Sequence, residues 1–147
     1  MFPLIVKKHA KKEKFHSIFF LSLIIVLFPS LLITFFYFVF PEVTIKMFLG
    51  GIGYVKISPY LGLFGVFLTI FSLNNVFVNF FLSVKKTSSS IIIFLCAMLQ
   101  IILIYLFHEN FSQIILVSTA TSLLLLASLM LYYLKIYGFN YAERKNI

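Results

Sequence analysis

Four long stretches of this chain carry no Asp, Glu, Lys or Arg: residues 17–40, 57–84, 91–107 and 114–134. A helix needs about 20 apolar residues to cross the hydrocarbon core of a bilayer, within a range of about 17–25, and every run reaches that range. Inside lipid an unpaired backbone N–H or C=O finds no water, so each run must satisfy its own polar groups as a helix. Composition agrees, with 62% of the 147 residues hydrophobic and 11% charged, against about 45–50% and about 25% in soluble domains. A globule this small cannot hide so much apolar surface from water. The expected fold is an all-α, polytopic integral membrane protein with four transmembrane helices. Soluble enzymes, soluble nucleic-acid binders and disulfide-stapled secreted modules are excluded, and Cys96 is the single cysteine.

The net charge of +8 would suggest nucleic acid on a soluble domain. Here the placement of the charges says otherwise. Lys7, Lys8, Lys11, Lys12 and Lys14 precede the first run, Lys85 and Lys86 follow the second, and Lys135, Arg144 and Lys145 follow the fourth. Only Lys46 and Lys56 lie in the alternate connections, which gives ten cations on one side against two on the other. The positive-inside rule then puts both termini in the cytoplasm. The expected order is a basic cytoplasmic or interfacial segment (1–16), helix 17–40, an external loop (41–56), helix 57–84, a cytoplasmic loop (85–90), helix 91–107, an external loop (108–113), helix 114–134 and a cytoplasmic tail (135–147). The leader, with Pro3 suited to a first turn and lysines at helical spacing, reads either as a short interfacial helix or as a disordered basic segment. Pro29, inside the first run, predicts a kink near Val26–Pro29. The tyrosines cluster near span ends, where a ring with a polar hydroxyl suits the interface.

The second run carries the informative polar residues. Gly62, Gly65, Thr69, Ser72, Asn75, Asn79 and Ser83 are spaced 3, 4, 3, 3, 4 and 4 apart, a stripe of small and polar groups along one side of a helix. Acyl chains offer a carboxamide no hydrogen bonds, so the stripe should face protein or a water-filled cavity. Helix–helix packing through small residues is one reading, and the lining of a polar path is the other. Asn74 stands about 100° off the stripe and is free to serve another neighbour. Gln100, midway along the third run, is expected to meet Asn75, Asn79 or a cavity. The candidate cavity or packing set is therefore Ser72, Asn75, Asn79 and Gln100. Ser118, Thr119, Thr121, Ser122 and Ser128 in the fourth run are expected to bond back to their own helix.

No Asp, Glu, His, Lys or Arg lies inside a run, which argues against a proton relay or buried ion pair. The stretch Gly50-Gly51-Ile52-Gly53 lacks the Lys-Ser/Thr of a phosphate loop and reads as a turn. With no triad-like or metal-spaced combination, the chain is expected to be no enzyme and to need no cofactor or metal.

Several local sequences resemble one family. Phe40-Pro41-Glu42, Gly53-Tyr54 and Pro59-Tyr60-Leu61 are similar to polysaccharide flippases. So are the runs Ser72-Leu73-Asn74-Asn75-Val76-Phe77-Val78-Asn79 and Phe81-Leu82-Ser83-Val84-Lys85-Lys86. Together they resemble the C-terminal part of the oligosaccharide-lipid flippases (O-antigen, capsule and teichoic-acid exporters) of the multidrug/oligosaccharidyl-lipid/polysaccharide exporter superfamily. The resemblance implies the last four helices of a twelve-helix, two-lobed exporter in a bacterial inner membrane. Met1-Phe2-Pro3 then resembles the end of a preceding helix, as in a fragment. It implies alternating access for a polyprenyl-pyrophosphate-linked glycan, with either the missing N-terminal helices or a homo-oligomer completing the cavity. An autonomous oligomeric four-helix protein, either a small exporter or a non-transport subunit, is the alternative.

Overall fold

The computed structural model describes residues 16–49, 57–85 and 88–138. Within them the regular structure is all helical: α1 (His16–Val39), α2 (Pro41–Leu49), α3 (Ser58–Ser83), α4 (Ser89–Leu106), α5 (Phe111–Tyr133) and a closing π-helical turn at Leu134–Gly138. Four of these segments, Ser17–Val39, Ser58–Ser83, Ser89–Leu106 and Phe111–Ile136, are long and apolar enough to cross a membrane. The lysine-rich leader, the glycine-bearing stretch 50–53 and the end of the C-terminal tail lie outside the described residues.

Local chemistry explains where each helix stops. Helix α1 runs unbroken through Pro29 and ends at a bend at Phe40. Pro41 opens α2 as a first helical residue, where a missing N–H costs nothing. Residues 41–49, expected to be loop, are thus a separate helix. It carries Glu42 in its first turn and Lys46 in its last, the polarity that a helix dipole favours. Their 3.8 Å ion pair is exposed and contributes little, whereas Ile45 is buried and anchors the helix. At the far end of α3, Lys85 adopts φ 57°. Its N–H bonds the Leu82 carbonyl at 3.2 Å, so a left-handed residue closes the helix without glycine. Helix α5 begins after an extended Asn110, whose carbonyl accepts the Gln113 N–H at 3.0 Å. The short connection through His108–Asn110 forces α4 and α5 to lie antiparallel.

The spanning helices form a row rather than a closed bundle. Helix α3 packs on α1 along one side and on α5 along another, and α5 in turn carries α4. The resulting order is α1, α3, α5, α4. Small α2 rests on α3 and α1. The row curls at one end, where Phe19 of α1 stacks on Tyr133 of α5 with centroids 5.1 Å apart. Phe19 also meets Phe80 at 4.4 Å and Phe77 at 5.1 Å. These rings, with Val76, Phe81, Val84 and Leu129, make up the main apolar core. Tyr132 packs on Phe81 at 5.1 Å, so the paired tyrosines here are also packing groups. Offset and edge-to-face ring pairs of this kind each contribute about 0.5–1.5 kcal/mol beyond their buried area. That matters in lipid, where apolar side chains gain nothing merely by leaving the solvent.

Candidate functional site

The polar residues of α3 divide among three environments, and helix geometry gives the reason. A step of three residues falls about 60° short of a full turn, and a step of four overshoots by about 40°. Thr69, Ser72 and Asn75 are joined by two successive three-residue steps. Asn75 therefore stands about 120° from Thr69 around the helix. The stripe starts against α1 and drifts onto a side of α3 that neither α1 nor α5 covers.

Against α1 the contact is close and hydrogen-bonded. Gly62 and Gly65 are buried beneath Phe38, Tyr37 and Thr34. The Thr34 hydroxyl lies 2.9 Å from the Gly65 carbonyl and 2.8 Å from the Thr69 hydroxyl, and Thr69 Oγ1 lies 3.3 Å from the Ser30 carbonyl. Small residues that let backbones approach, joined by hydroxyl bonds across the seam, characterise packing inside a membrane. Ser30 and Thr34 were not singled out from the sequence. Their spacing of four residues, on the turn that follows Pro29, is the signal that could have found them.

Against α5 the key residue is Asn74. Its carboxamide is buried and donates from Nδ2 to the Ser122 carbonyl at 2.9 Å, while Oδ1 is buried without a partner. Ser118, Thr121 and Ser122 are buried along this seam. Thr121 bonds the Val117 carbonyl at 2.9 Å and Thr119 bonds that of Ile115 at 2.7 Å, both within their own helix. The Gln113 Oε1, one turn into α5, is also buried and unpartnered.

The third environment is the open side of α3. Ser72 is half-buried and returns its hydroxyl to the Leu68 carbonyl at 2.8 Å. Asn75 is exposed and donates from Nδ2 to the Phe71 carbonyl at 3.0 Å. Asn79, one turn further on, is exposed as well. Phe64, Phe71 and Leu82 share this side and are exposed. Ser83 has turned back into the core and bonds the Asn79 carbonyl at 2.7 Å.

Gln100 belongs elsewhere. It is half-buried on α4, one turn past buried Cys96, and α4 packs on α5. Of the partners expected for Gln100, namely Asn75, Asn79 or a cavity, the two asparagines are out of reach, because α5 stands between the two helices. Structure thus brings Ser72, Asn75 and Asn79 together and leaves Gln100 apart. Among the described residues no group of three His, Cys, Asp or Glu side chains is placed to hold a metal ion. Searches against protein-family models, curated proteins and solved structures return no match to this chain.

Proposed function

We propose that this chain is a membrane component of a transporter that moves a lipid-linked oligosaccharide across the bilayer in polysaccharide biosynthesis, by alternating access. One observation carries the reading: two exposed carboxamides, Asn75 and Asn79, stand a single turn apart on the uncovered side of a spanning helix. Hydrocarbon leaves such groups unsatisfied, whereas the hydroxyls of a sugar head group match both their donors and their acceptors. Ser72 extends the same wall by a turn. The resemblance of residues 40–42, 59–61 and 72–86 to oligosaccharide-lipid flippases points to the same substrate class.

In this reading the four spans supply a neutral, hydrogen-bonding wall. A pyrophosphate calls for cations, and none lies within the spans. Those cations come from other helices of a two-lobed exporter or from charges at the membrane face. The orientation has both termini in the cytoplasm, because the lysines and arginines divide ten against two, and the bacterial inner membrane is what the resemblance implies.

The test replaces Asn75 and Asn79 together with leucine in the transporter that contains this chain. Each carboxamide contributes about 0.6–2 kcal/mol of polar contact in a membrane, so losing the pair is expected to slow glycan export about tenfold or more. The thermal midpoint should hold, because neither side chain packs against α1 or α5. Unchanged export with a lowered midpoint would instead assign the pair to packing.

A further inference from the structure

We infer that α2 lies in the interfacial layer of the bilayer at the Phe40 end of α1, with Val43 and Met47 inserted among the lipid chains. The inference needs only that α1 crosses the membrane and is independent of the transport reading. Its first support is helical register. The Phe40 N–H bonds the Phe36 carbonyl at 2.9 Å and the Thr44 N–H bonds the Phe40 carbonyl at 3.0 Å, so the four-residue pattern passes across Pro41. Phe36, Phe40, Val43 and Met47 are spaced 4, 3 and 4 apart and form one apolar strip, which begins on the exposed side of α1 and continues along α2. Met47, at 80%, is the most exposed large hydrophobic residue among those described.

The roll of α2 about its own axis is fixed as well. Ile45 is buried where α2 rests on α3 and α1. At about 100° per residue, Val43 and Met47 then stand on the side opposite Ile45, and Glu42 and Lys46 stand about 100° round from the strip. Thr44 returns its hydroxyl to the Phe40 carbonyl at 2.8 Å. The helix thus has one side on protein, an apolar side opposite, and an ion pair at 3.8 Å on a third. A helix with separate apolar and charged sides suits the boundary between headgroups and acyl chains. Its level agrees. The 24 residues of α1 extend about 36 Å, against about 30 Å of hydrocarbon, so α1 ends at the headgroups. Only Phe40 separates that end from α2. Lipid is the occupant because the strip continues the exposed side of a spanning helix at the depth where that helix leaves the hydrocarbon. Held there, α2 sets the tilt and depth of α1, as interfacial anchors do.

The chain has no tryptophan, so one introduced indole reports alone. Met47→Trp in the full chain, in phosphatidylcholine vesicles, is expected to lose emission to lipids brominated near the headgroup end of the acyl chain. Lipids brominated near the chain terminus should quench it much less. Phe28→Trp, exposed midway along α1, should show the reverse order. Because indole itself favours the interface, a second measurement adds no aromatic ring. In a Cys96→Ser background, spin labels at Met47→Cys and Lys46→Cys are compared for collision with oxygen and with a water-soluble nickel chelate. Oxygen should dominate at 47 and the chelate at 46. Met47→Trp emission quenched by aqueous iodide but not by brominated lipid, or a label at 47 that meets the chelate as freely as one at 46, puts α2 in water and overturns the inference. Blue-shifted emission that neither quencher reaches assigns the strip to a protein contact and overturns it too. Glycan export through Asn75 and Asn79 is untouched by either failure, so the two readings fall separately.

Discussion

Gly65→Leu should separate α1 from α3 and lower the free energy of unfolding in mixed micelles by about 3 kcal/mol, the upper part of the range for overpacking. A Cβ at position 65 would stand 3.0 Å from Tyr37 Cδ2 and 3.2 Å from both the Cα and the Oγ1 of Thr34. The backbone atom cannot rotate away, so a leucine must displace the helix itself. Displacement also breaks the bonds from Thr34 to the Gly65 carbonyl and the Thr69 hydroxyl. Each such membrane bond is worth about 0.6 kcal/mol on average. Gly62→Ala should cost clearly less, although its Cβ would come within 2.7 Å of Phe38, because that neighbour is a ring end able to swing outward. Denaturant titration of the two variants checks the order, and equal losses would show that backbone approach does not control this seam.

Phe80→Ala acts at the other end of the same pair of helices and is expected to cost about 2–3 kcal/mol. That is less than the about 3–5 kcal/mol of a water-surrounded core, because in a bilayer the truncation loses packing without a transfer term. Phe80 is 1% exposed and meets the rings of Phe19, Phe81 and Tyr133 with centroids between 4.4 and 5.6 Å apart. Removing it opens a cavity where rings of α1, α3 and α5 meet. Phe71→Ala is the control: that ring is 51% exposed and should cost well under half as much. A Phe80→Ala variant as stable as the unaltered protein would mean that the curl of the row has another origin.

How much of this was legible in the sequence differs by element. The four spans could be read directly, because charge-free runs of this length admit almost no other structure in lipid. Helix α2 could not, because Pro41 and the Glu42–Lys46 pair look like loop until Ile45 is seen to be buried. Nor was the order of the row visible: periodicity shows that a helix has a preferred side, not which helix will take it. The polar stripe shows this most clearly. Its spacing was evident, yet its drift of about 120° between Thr69 and Asn75 divides it between a packing seam and an open side. Asn74, set apart from the stripe by its angle, is the carboxamide that reaches α5. For Gln100 the sequence leaves Asn75, Asn79 or a cavity open as partners, and only the position of α5 between the helices removes the two asparagines.

The most direct test of the whole account is whether the open side of α3 meets lipid. Spin labels at residues 75 and 79 of the full chain in bilayers can be compared with one at residue 101 for collision with oxygen, which dissolves in hydrocarbon. The account predicts strong oxygen broadening at 101 and weak broadening at 75 and 79, because protein or water covers the two amides. Equal broadening at all three positions would place Asn75 and Asn79 against acyl chains and contradict it.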